Sequence, residues 1–269
     1  MPRFLYYLKF MKDNIKIPNL LIVSIDHLIL HEVPDNFKLE KLKNKISNST
    51  VLTHPPIVAK APKSQYYFVL DGANRVTSYK DLGYDCLVVQ LVNYNSKDVE
   101  LKSWNHIVRG LSESEIDKII NFVKSSPYAK LKNKKIIQIR KITLKNLEPQ
   151  LEFFNELYHM YQNKKFKRIV GNGVNNLKKL YEDLSFLIFY PTLSPKIISA
   201  VSNKKLTLPA GITRHIINSR VLNVDFDLKI LKSHIEIEEK NKLLKNLVTK
   251  RLQDRKIRYY NEPIIILND

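Results

Sequence analysis

The 269-residue sequence contains a single cysteine, Cys86. One thiol excludes an intramolecular disulfide and any zinc site that needs several cysteines. The residues that follow it, 87–89, are apolar, which predicts a buried position in a strand. A reducing cytosol suits such a chain, and we expect a cytoplasmic protein.

Long apolar segments are also missing. No apolar run approaches the roughly 18 residues that a membrane-spanning helix needs. The apolar stretch at residues 4–8 is too short, and lysines interrupt this region too often, for a secretory signal. We therefore expect no membrane partner.

Acidic residues are scarce relative to basic ones. The chain has 26 Asp and Glu against 45 Lys and Arg, a formal charge of +19. A basic surface attracts polyanions and small phosphorylated ligands alike, although an AT-rich genome would also enrich lysine, asparagine and isoleucine. Charge alone thus admits nucleic acid as a partner without favouring it.

The N-terminal half alternates the signals of strands and helices. Runs of β-branched and aromatic residues predict strands at 20–25, 57–61, 66–70 and 86–92. Apolar residues at helical spacing predict helices at 39–46 and 73–82, the second ended by Gly83 as a C-terminal cap. This alternation predicts a mixed α/β (α+β) fold.

The second half opens with capping chemistry, since Ser112 is a good N-cap and Glu115 follows three residues later. A boundary near 108–112 predicts two domains, 1–110 and 111–269. Strands are predicted at 135–140, 186–190 and 263–267, and helices at about 147–162, 174–184, from 194, and through 243–252. Gly171-Asn172-Gly173 lacks the spacing and the Lys-Ser/Thr ending of a P-loop, so we interpret it as a turn.

Residues 69–75 contain the most informative pattern, a strand that runs into Asp71-Gly72 and then the first turn of a helix. Glycine allows a sharp turn, and the free N–H groups of a helix start favour an anion. Arg75 can add a bidentate phosphate contact, and Asp71 can orient a hydroxyl or a Mg²⁺ ion. A plain strand-turn-helix with a capping Asp and a surface Arg fits the same spacing.

Two further pairs of residues admit both a chemical and a structural interpretation. Glu32 follows His31 at the end of a strand, where a carboxylate can act as a general base or merely be solvated. Trp104 and His106 can form a pocket wall with a polar group. Alternatively, Trp104 is a core residue and His106 is buried beside it with its hydrogen bonds made inside the protein.

The stretch 208–215 contains Pro209 and Gly211, which predict a loop presenting Thr213, Arg214 and His215 together. The fork of Arg214 suits a carboxylate or a phosphate. A connecting loop with a structural arginine is the alternative.

Together these stretches resemble the free serine kinase family of the ParB/sulfiredoxin-like superfamily, and most closely its siderophore-biosynthesis branch. The similarity covers most of the chain. The Asp-Gly-x-x-Arg pattern alone marks only the superfamily, which also contains DNA-partitioning proteins. The motifs that resemble the family are Ile25-Asp26 to His31-Glu32, His54-Pro55, Asp71-Gly72-x-x-Arg75, Trp104-x-His106, and Pro209 to Ile216 followed by Ser219-Arg220.

The resemblance implies a fold, an activity and a set of site residues. It implies a ParB/sulfiredoxin-like N-terminal domain that forms a cleft with a second α/β domain. It also implies transfer of the terminal phosphate of ATP or ADP to free L-serine, with Mg²⁺ bound mainly by the nucleotide phosphates. The implied roles are Glu32 as catalytic base, Asp71 for the serine hydroxyl or a metal, Gly72, Asn74, Arg75 and His54 for the nucleotide, and Trp104, His106, Thr213, Arg214 and His215 for serine, with Arg214 on its carboxylate.

Two residues depart from the family pattern, and Asn74 is the one that suggests an alternative function. Asn74 stands where the family usually has histidine, and Lys38 where related sequences often carry arginine. A regulatory member that binds a ligand without turnover is therefore one alternative. The other is a nucleic-acid-binding protein of the ParB type, which uses the same Asp-Gly-x-x-Arg scaffold.

Overall fold

The computed structural model describes residues 19–170 and 183–260. Gly171-Asn172-Gly173, the expected strand at 263–267 and the expected helix at 174–184 lie outside these ranges, apart from the last two residues of that helix. The mixed α/β fold class is confirmed. None of the helices in the described ranges combines the length and hydropathy needed to cross a bilayer.

The bounds of the elements agree closely with the sequence pattern through the first 92 residues. The helices are α1 (Asn36–Ser47), α2 (Ala73–Asp81), α3 (Glu113–Lys124), α4 (Leu147–His159), α5 (Pro195–Asn203), α6 (Leu228–Lys232) and α7 (Ile237–Gln253). The strands are β1 (Asn19–Ser24), β2 (Leu28–Leu30), β3 (Val51–Leu52), β4 (Ile57–Lys60), β5 (Tyr67–Asp71), β6 (Cys86–Val92), β7 (Val99–Ser103), β8 (Asn105–Arg109), β9 (Ala129–Asn133), β10 (Ile136–Ile139), β11 (Lys165–Ile169), β12 (Leu184–Phe189), β13 (Thr213–Ile217) and β14 (Phe226–Asp227).

The first sheet has the strand order β1-β6-β4-β5-β2. Strands β2 and β5 are parallel neighbours, with Leu30 opposite Val69. Two residues beyond this pair the chain reaches Glu32 from one strand and Asp71 from the other. Because parallel neighbours end at the same edge, the register brings the two acids side by side.

The second sheet has the order β11-β8-β12-β10-β9. Its core is built with α3, α4 and α5, and its central strands are apolar on both faces. For example, Ile107 and Val108 are both fully buried although they are adjacent. Buried apolar area of this extent supplies the main driving force for folding.

The two halves of the chain are interleaved. Strand β8 precedes residue 110 yet lies in the second sheet, and Leu244 of α7 packs in the same core as Val88 of β6. Strand β13 pairs with β7, and Glu32 forms a bridge with Leu208. The segment 208–217 therefore lies over the edge where Glu32 and Asp71 emerge. A domain boundary at residue 110 stays a prediction.

The loop predicted through Thr213 to His215 is wrong in its secondary structure. These residues begin β13, in which Thr213 pairs with Ser103 and His215 with Leu101. The pairing partner lies more than 100 residues away, so local turn signals from Pro209 and Gly211 dominated the sequence pattern.

Candidate active site

A cavity of about 830 Å³ lies where β2 and β5 end, where α1 and α2 begin, and beside β13. Glu32, Asp71 and Arg214, whose convergence the kinase hypothesis requires, all line it. The other sequence-predicted residues on its wall are Gly72, Asn74, Arg75, Trp104, Thr213 and His215. His54 and His106 do not line it.

The Glu32 carboxylate is held by the segment that crosses the sheet edge. Oε2 accepts the Gly211 N–H at 2.9 Å. Oε1 accepts the N–H groups of Ile212 and Thr213 at 3.1 and 2.5 Å, and the Thr213 hydroxyl at 2.6 Å. A carboxylate oxygen has two lone pairs, so Oε2 is the atom with capacity left for a substrate hydroxyl.

Two features fix the backbone at Gly211. Its φ of +73° is accessible to glycine, and a Cβ here would overlap the Arg168 guanidinium. Its carbonyl accepts a hydrogen bond from His106 Nε2 at 3.0 Å. His106 Nδ1 is in turn 2.7 Å from the Tyr161 hydroxyl. The loop that holds Glu32 is therefore supported from the core.

His106 thus occupies a different place from the one its sequence motif implied. The ring is fully buried, and burial lowers its pKa to about 4, so it is neutral at physiological pH. It reaches the Gly211 carbonyl from behind the cavity wall. Trp104, by contrast, lies between β7 and β8 and faces Arg214, whose guanidinium carbon is 4.6 Å from the ring centroid.

Asp71 lies in an ion cluster with two arginines. Its Oδ2 accepts from Arg75 at 2.7 Å and from Arg220 at 2.6 Å. Burial alone would raise the pKa of Asp71, but the two guanidinium groups together hold it below its usual value. Both arginines bind the same oxygen, which leaves Oδ1 for a hydroxyl or a metal.

Arg75 is anchored to the protein as well. Its guanidinium donates to the carbonyls of His54 and Pro55 at 2.9 and 3.0 Å. It also covers Gly72, where φ is +102° and a Cβ would lie only 3.0 Å from the guanidinium. His54 therefore contributes a main-chain carbonyl that positions Arg75. Burial, followed by the charge of Arg75, lowers the pKa of the His54 imidazole.

Two helix starts meet at the cavity. The N-cap of α2 is Gly72, which has no side chain, and the N-cap of α1 is Asp35, whose side chain does not cap the helix. Asn74 Oδ1 accepts the Asp35 N–H at 2.8 Å, which ties the two starts together. The first N–H groups of a helix lack intrahelical acceptors, so residues 73–75 present donors suited to an anion.

The charge of the cavity wall is strongly positive. Among the described residues, seven cationic side chains and three carboxylates line it. The carboxylates are Glu32, Asp35 and Asp71, and the cations are Lys38, Lys41, Lys45, Arg75, Arg168, Arg214 and Arg220. An excess of four positive charges favours a polyanionic ligand such as a nucleotide.

The arginines of the cavity differ in their partners. Arg75 and Arg220 pair with Asp71, and Arg168 pairs with Asp35 at 3.1 Å. Within residues 19–170 and 183–260, Arg214 forms no ion pair. Sequence patterns did not assign Asp35, Arg168 or Arg220 to the site, and only Arg220 had a signal, through its place in the Ser-Arg motif.

A buried histidine pair backs the Glu32 side of the cavity. His31 Nδ1 donates to the Val69 carbonyl at 2.8 Å, and its Nε2 lies 2.8 Å from the Thr213 hydroxyl. The His215 ring contacts His31 edge to face at 5.4 Å. Burial, followed by the proximity of His31, lowers the pKa of His215 to about 3. His215 is therefore a neutral wall residue.

Comparisons with known proteins agree with these motifs. No protein-family model matches the chain. The ATP-dependent L-serine kinase SbnI of Staphylococcus aureus is 28% identical over 232 residues, which cover 82% of this chain and 87% of that protein. An ATP-dependent L-serine kinase of Desulfurococcus mucosus is 31% identical over 83 residues, which cover 31% of this chain and 32% of that protein.

Solved structures extend the similarity to the fold. SbnI with a C-terminal truncation, from Staphylococcus aureus, superposes with a TM-score of 0.68 at 25% identity, covering 86% of this chain and 96% of that one. A variant of a free serine kinase in complex with ADP gives a TM-score of 0.61 at 16% identity, covering 80% and 95%. The chain is therefore similar to an L-serine kinase over most of its length, in agreement with the resemblance of its motifs.

Proposed function

We propose that the protein is a nucleotide-dependent L-serine kinase that transfers the terminal phosphate of its donor to the serine hydroxyl, giving O-phospho-L-serine. One observation carries the proposal. A fixed carboxylate, an uncapped helix start and an arginine that has no ion pair among the described residues line the same cavity, in a chain similar to an L-serine kinase.

Glu32 is the base in this proposal. Phosphoryl transfer demands little covalent chemistry from the protein beyond alignment and charge stabilisation. Three consecutive N–H groups and one hydroxyl fix the Glu32 carboxylate, so its free lone pair on Oε2 has a defined direction. Glu32 accepts the hydroxyl proton through Oε2 while the serine oxygen attacks the terminal phosphorus, whose bond to the bridging oxygen breaks and releases the shortened nucleotide.

The nucleotide phosphates bind at the start of α2. The N–H groups of residues 73–75 and the surrounding lysines and arginines supply donors and positive charge there. Asn74 adds its Nδ2 group, since its Oδ1 is occupied by the Asp35 N–H. This geometry supports phosphate binding without the positive charge of the histidine that related sequences carry.

Arg214 binds the carboxylate of serine. It is the cavity arginine that no described carboxylate neutralises, and its guanidinium carbon lies 4.6 Å from the centroid of the Trp104 ring. The planar fork of a guanidinium matches the two oxygens of a carboxylate. Arg214 directly follows Thr213 on β13, and Thr213 donates to Glu32. The proposed carboxylate site therefore lies next to the proposed base.

Mg²⁺ is part of the proposal as a companion of the nucleotide. Across the described part of the chain, no cluster of three or more His, Cys, Asp or Glu side chains could hold a metal ion. Mg²⁺ commonly binds through substrate phosphates, waters and one or two carboxylates, and Asp71 can offer Oδ1. When bound, the ion would neutralise phosphate charge.

The test is product formation from serine, Mg²⁺ and either ATP or ADP, with phosphoserine detected by ³¹P NMR. The named relatives are ATP-dependent, so ATP is the first donor to test. Glu32→Gln should lower turnover by about 10²- to 10⁴-fold, the usual contribution of a general base, while nucleotide binding survives. The matched control is Glu152→Gln, an exposed acid on α4. A Glu32→Gln enzyme with the wild-type rate removes Glu32 from the mechanism, and absence of phosphoserine with both donors overturns the function.

A further inference from the structure

The ion cluster around Asp71 contains two cationic side chains and one carboxylate. Arg75 and Arg220 converge on one oxygen of a single carboxylate, at 2.7 and 2.6 Å. Two guanidinium groups this close repel each other, and one carboxylate neutralises only one of them. The cluster therefore has a net positive charge that an additional anion would stabilise.

The two arginines are not equivalent. The Arg75 guanidinium donates three hydrogen bonds, to the carbonyls of His54 and Pro55 and to the carboxylate of Asp71. It also packs over Gly72. Arg220 makes one ion pair, with Asp71, and its guanidinium forms no other hydrogen bond among the described residues. Arg220 also reaches the cavity from a different part of the chain, the segment after β13.

Arg220 is held in place from two sides. Next to it, the Ser219 carbonyl accepts from the Gln90 amide at 2.6 Å, and the Val221 N–H donates to the same side chain at 2.9 Å. Asp71 holds its guanidinium at the other end. A side chain fixed at its base and at its tip has little rotamer entropy left to lose when a ligand binds.

We propose that Arg220 is a catalytic residue that binds the phosphoryl group during transfer, and that Asp71 is the positioning residue that aims it. This inference rests on the proposed function and deepens it. The amides of residues 73–75 hold the phosphates from the helix side, and Arg220 contacts them from the segment after β13. Opposed donors of this kind stabilise charge on the equatorial oxygens of the transferring group. Asp71 Oδ1 stays available for the hydroxyl or Mg²⁺.

The test compares Arg220→Ala with Arg251→Met in the full-length chain. Arg251 supports the same segment, since its guanidinium donates to the Asn223 carbonyl at 2.8 Å, but it does not line the cavity. Arg220→Ala should lower kcat with saturating serine and ATP by about 10²- to 10³-fold, the usual cost of one transition-state donor, with the serine KM little changed. Arg251→Met should keep the wild-type kcat.

Two further readouts separate catalysis from support of the fold. Added guanidinium ion should restore part of the Arg220→Ala activity, and Arg220→Lys should stay impaired because it lacks the fork. Asp71→Asn and Arg220→Ala should be non-additive in a double-mutant cycle, because Asp71 acts through Arg220.

The outcomes are distinguishable from failure of the proposed function. If the wild type forms phosphoserine and Arg220→Ala matches its rate, Arg220 has no role in transfer. Equal losses in Arg220→Ala and Arg251→Met, without guanidinium rescue, would likewise contradict the inference, since both arginines would then act only by supporting the segment. If the wild-type protein forms no phosphoserine, the proposed L-serine kinase activity is contradicted.

Discussion

Replacement of Gly211 by alanine tests how the loop that fixes Glu32 is built. A Cβ at Gly211 would overlap the Arg168 guanidinium, and the φ of +73° disfavours any side chain. Gly83 is a matched control, because its φ is +74° and a Cβ there meets no atom within 4 Å. The left-handed conformation costs alanine about 1–2 kcal/mol, and overpacking adds about 1–3 kcal/mol.

We therefore expect Gly83→Ala to lower the free energy of unfolding by about 1–2 kcal/mol, and Gly211→Ala by about 2–5 kcal/mol. Urea denaturation measures both. Gly211→Ala should also lower kcat, because movement of residues 211–213 loosens the donors on Glu32. In an Arg168→Ala background the overlap disappears, so the cost of Gly211→Ala should fall to that of Gly83→Ala. Equal costs at the two glycines in the wild-type background would refute this account of the loop.

Three other predictions concern single side chains. Arg214→Ala should raise the serine KM by about tenfold or more without changing the nucleotide KM, and Arg214→Lys should recover only part of the loss. Steady-state kinetics with each substrate varied in turn measures both constants, and an unchanged serine KM would contradict this role of Arg214. Thr213→Val should lower kcat, since it removes a donor to Glu32, whereas Thr213→Ser should retain activity. Asp71 has a folded-state pKa below its unfolded value of about 3.9, so it stabilises the fold above that pH and loses the contribution as pH falls. The destabilisation caused by Asp71→Asn, measured by urea denaturation, should shrink below about pH 4, and a constant difference from pH 7 to pH 3 would argue against the ion cluster.

Local chemistry predicted much of the first sheet and its two helices. The run into Asp71-Gly72, the α2 helix and its Gly83 cap all follow from residues adjacent in the sequence. The Ser112 capping box is likewise formed as predicted. Such signals depend on neighbours within four residues, which the sequence shows directly.

Features that depend on distant partners were harder to predict. The strand β13 exists because β7 pairs with it, and its own residues follow a proline and a glycine that indicate a loop. His106 lies on a strand whose neighbours are buried on both faces, so alternation could not show which way its ring points. Trp104 and His106 are close in sequence, but Trp104 lines the cavity and His106 lies in the core.

The candidate site shows the same division. Glu32 and Asp71 were identified from strand ends, where polar residues after apolar runs are informative. The hydrogen-bond partners of the arginines could not be predicted from the sequence, because they lie far away along the chain. Arg75 donates to the carbonyls of residues 54 and 55, and Arg168 of β11 donates to Asp35. Only the topology distinguishes Arg214, which has no ion pair among the described residues, from the paired arginines.

A crystal structure with L-serine and a non-hydrolysable ATP analogue tests the central claim most directly. The account predicts the serine hydroxyl within about 2.6–3.2 Å of Glu32 Oε2, its carboxylate on Arg214, and the terminal phosphate at the start of α2 beside Arg220. Serine bound with its hydroxyl beyond hydrogen-bonding reach of Glu32, or phosphates bound away from residues 72–75, would contradict it.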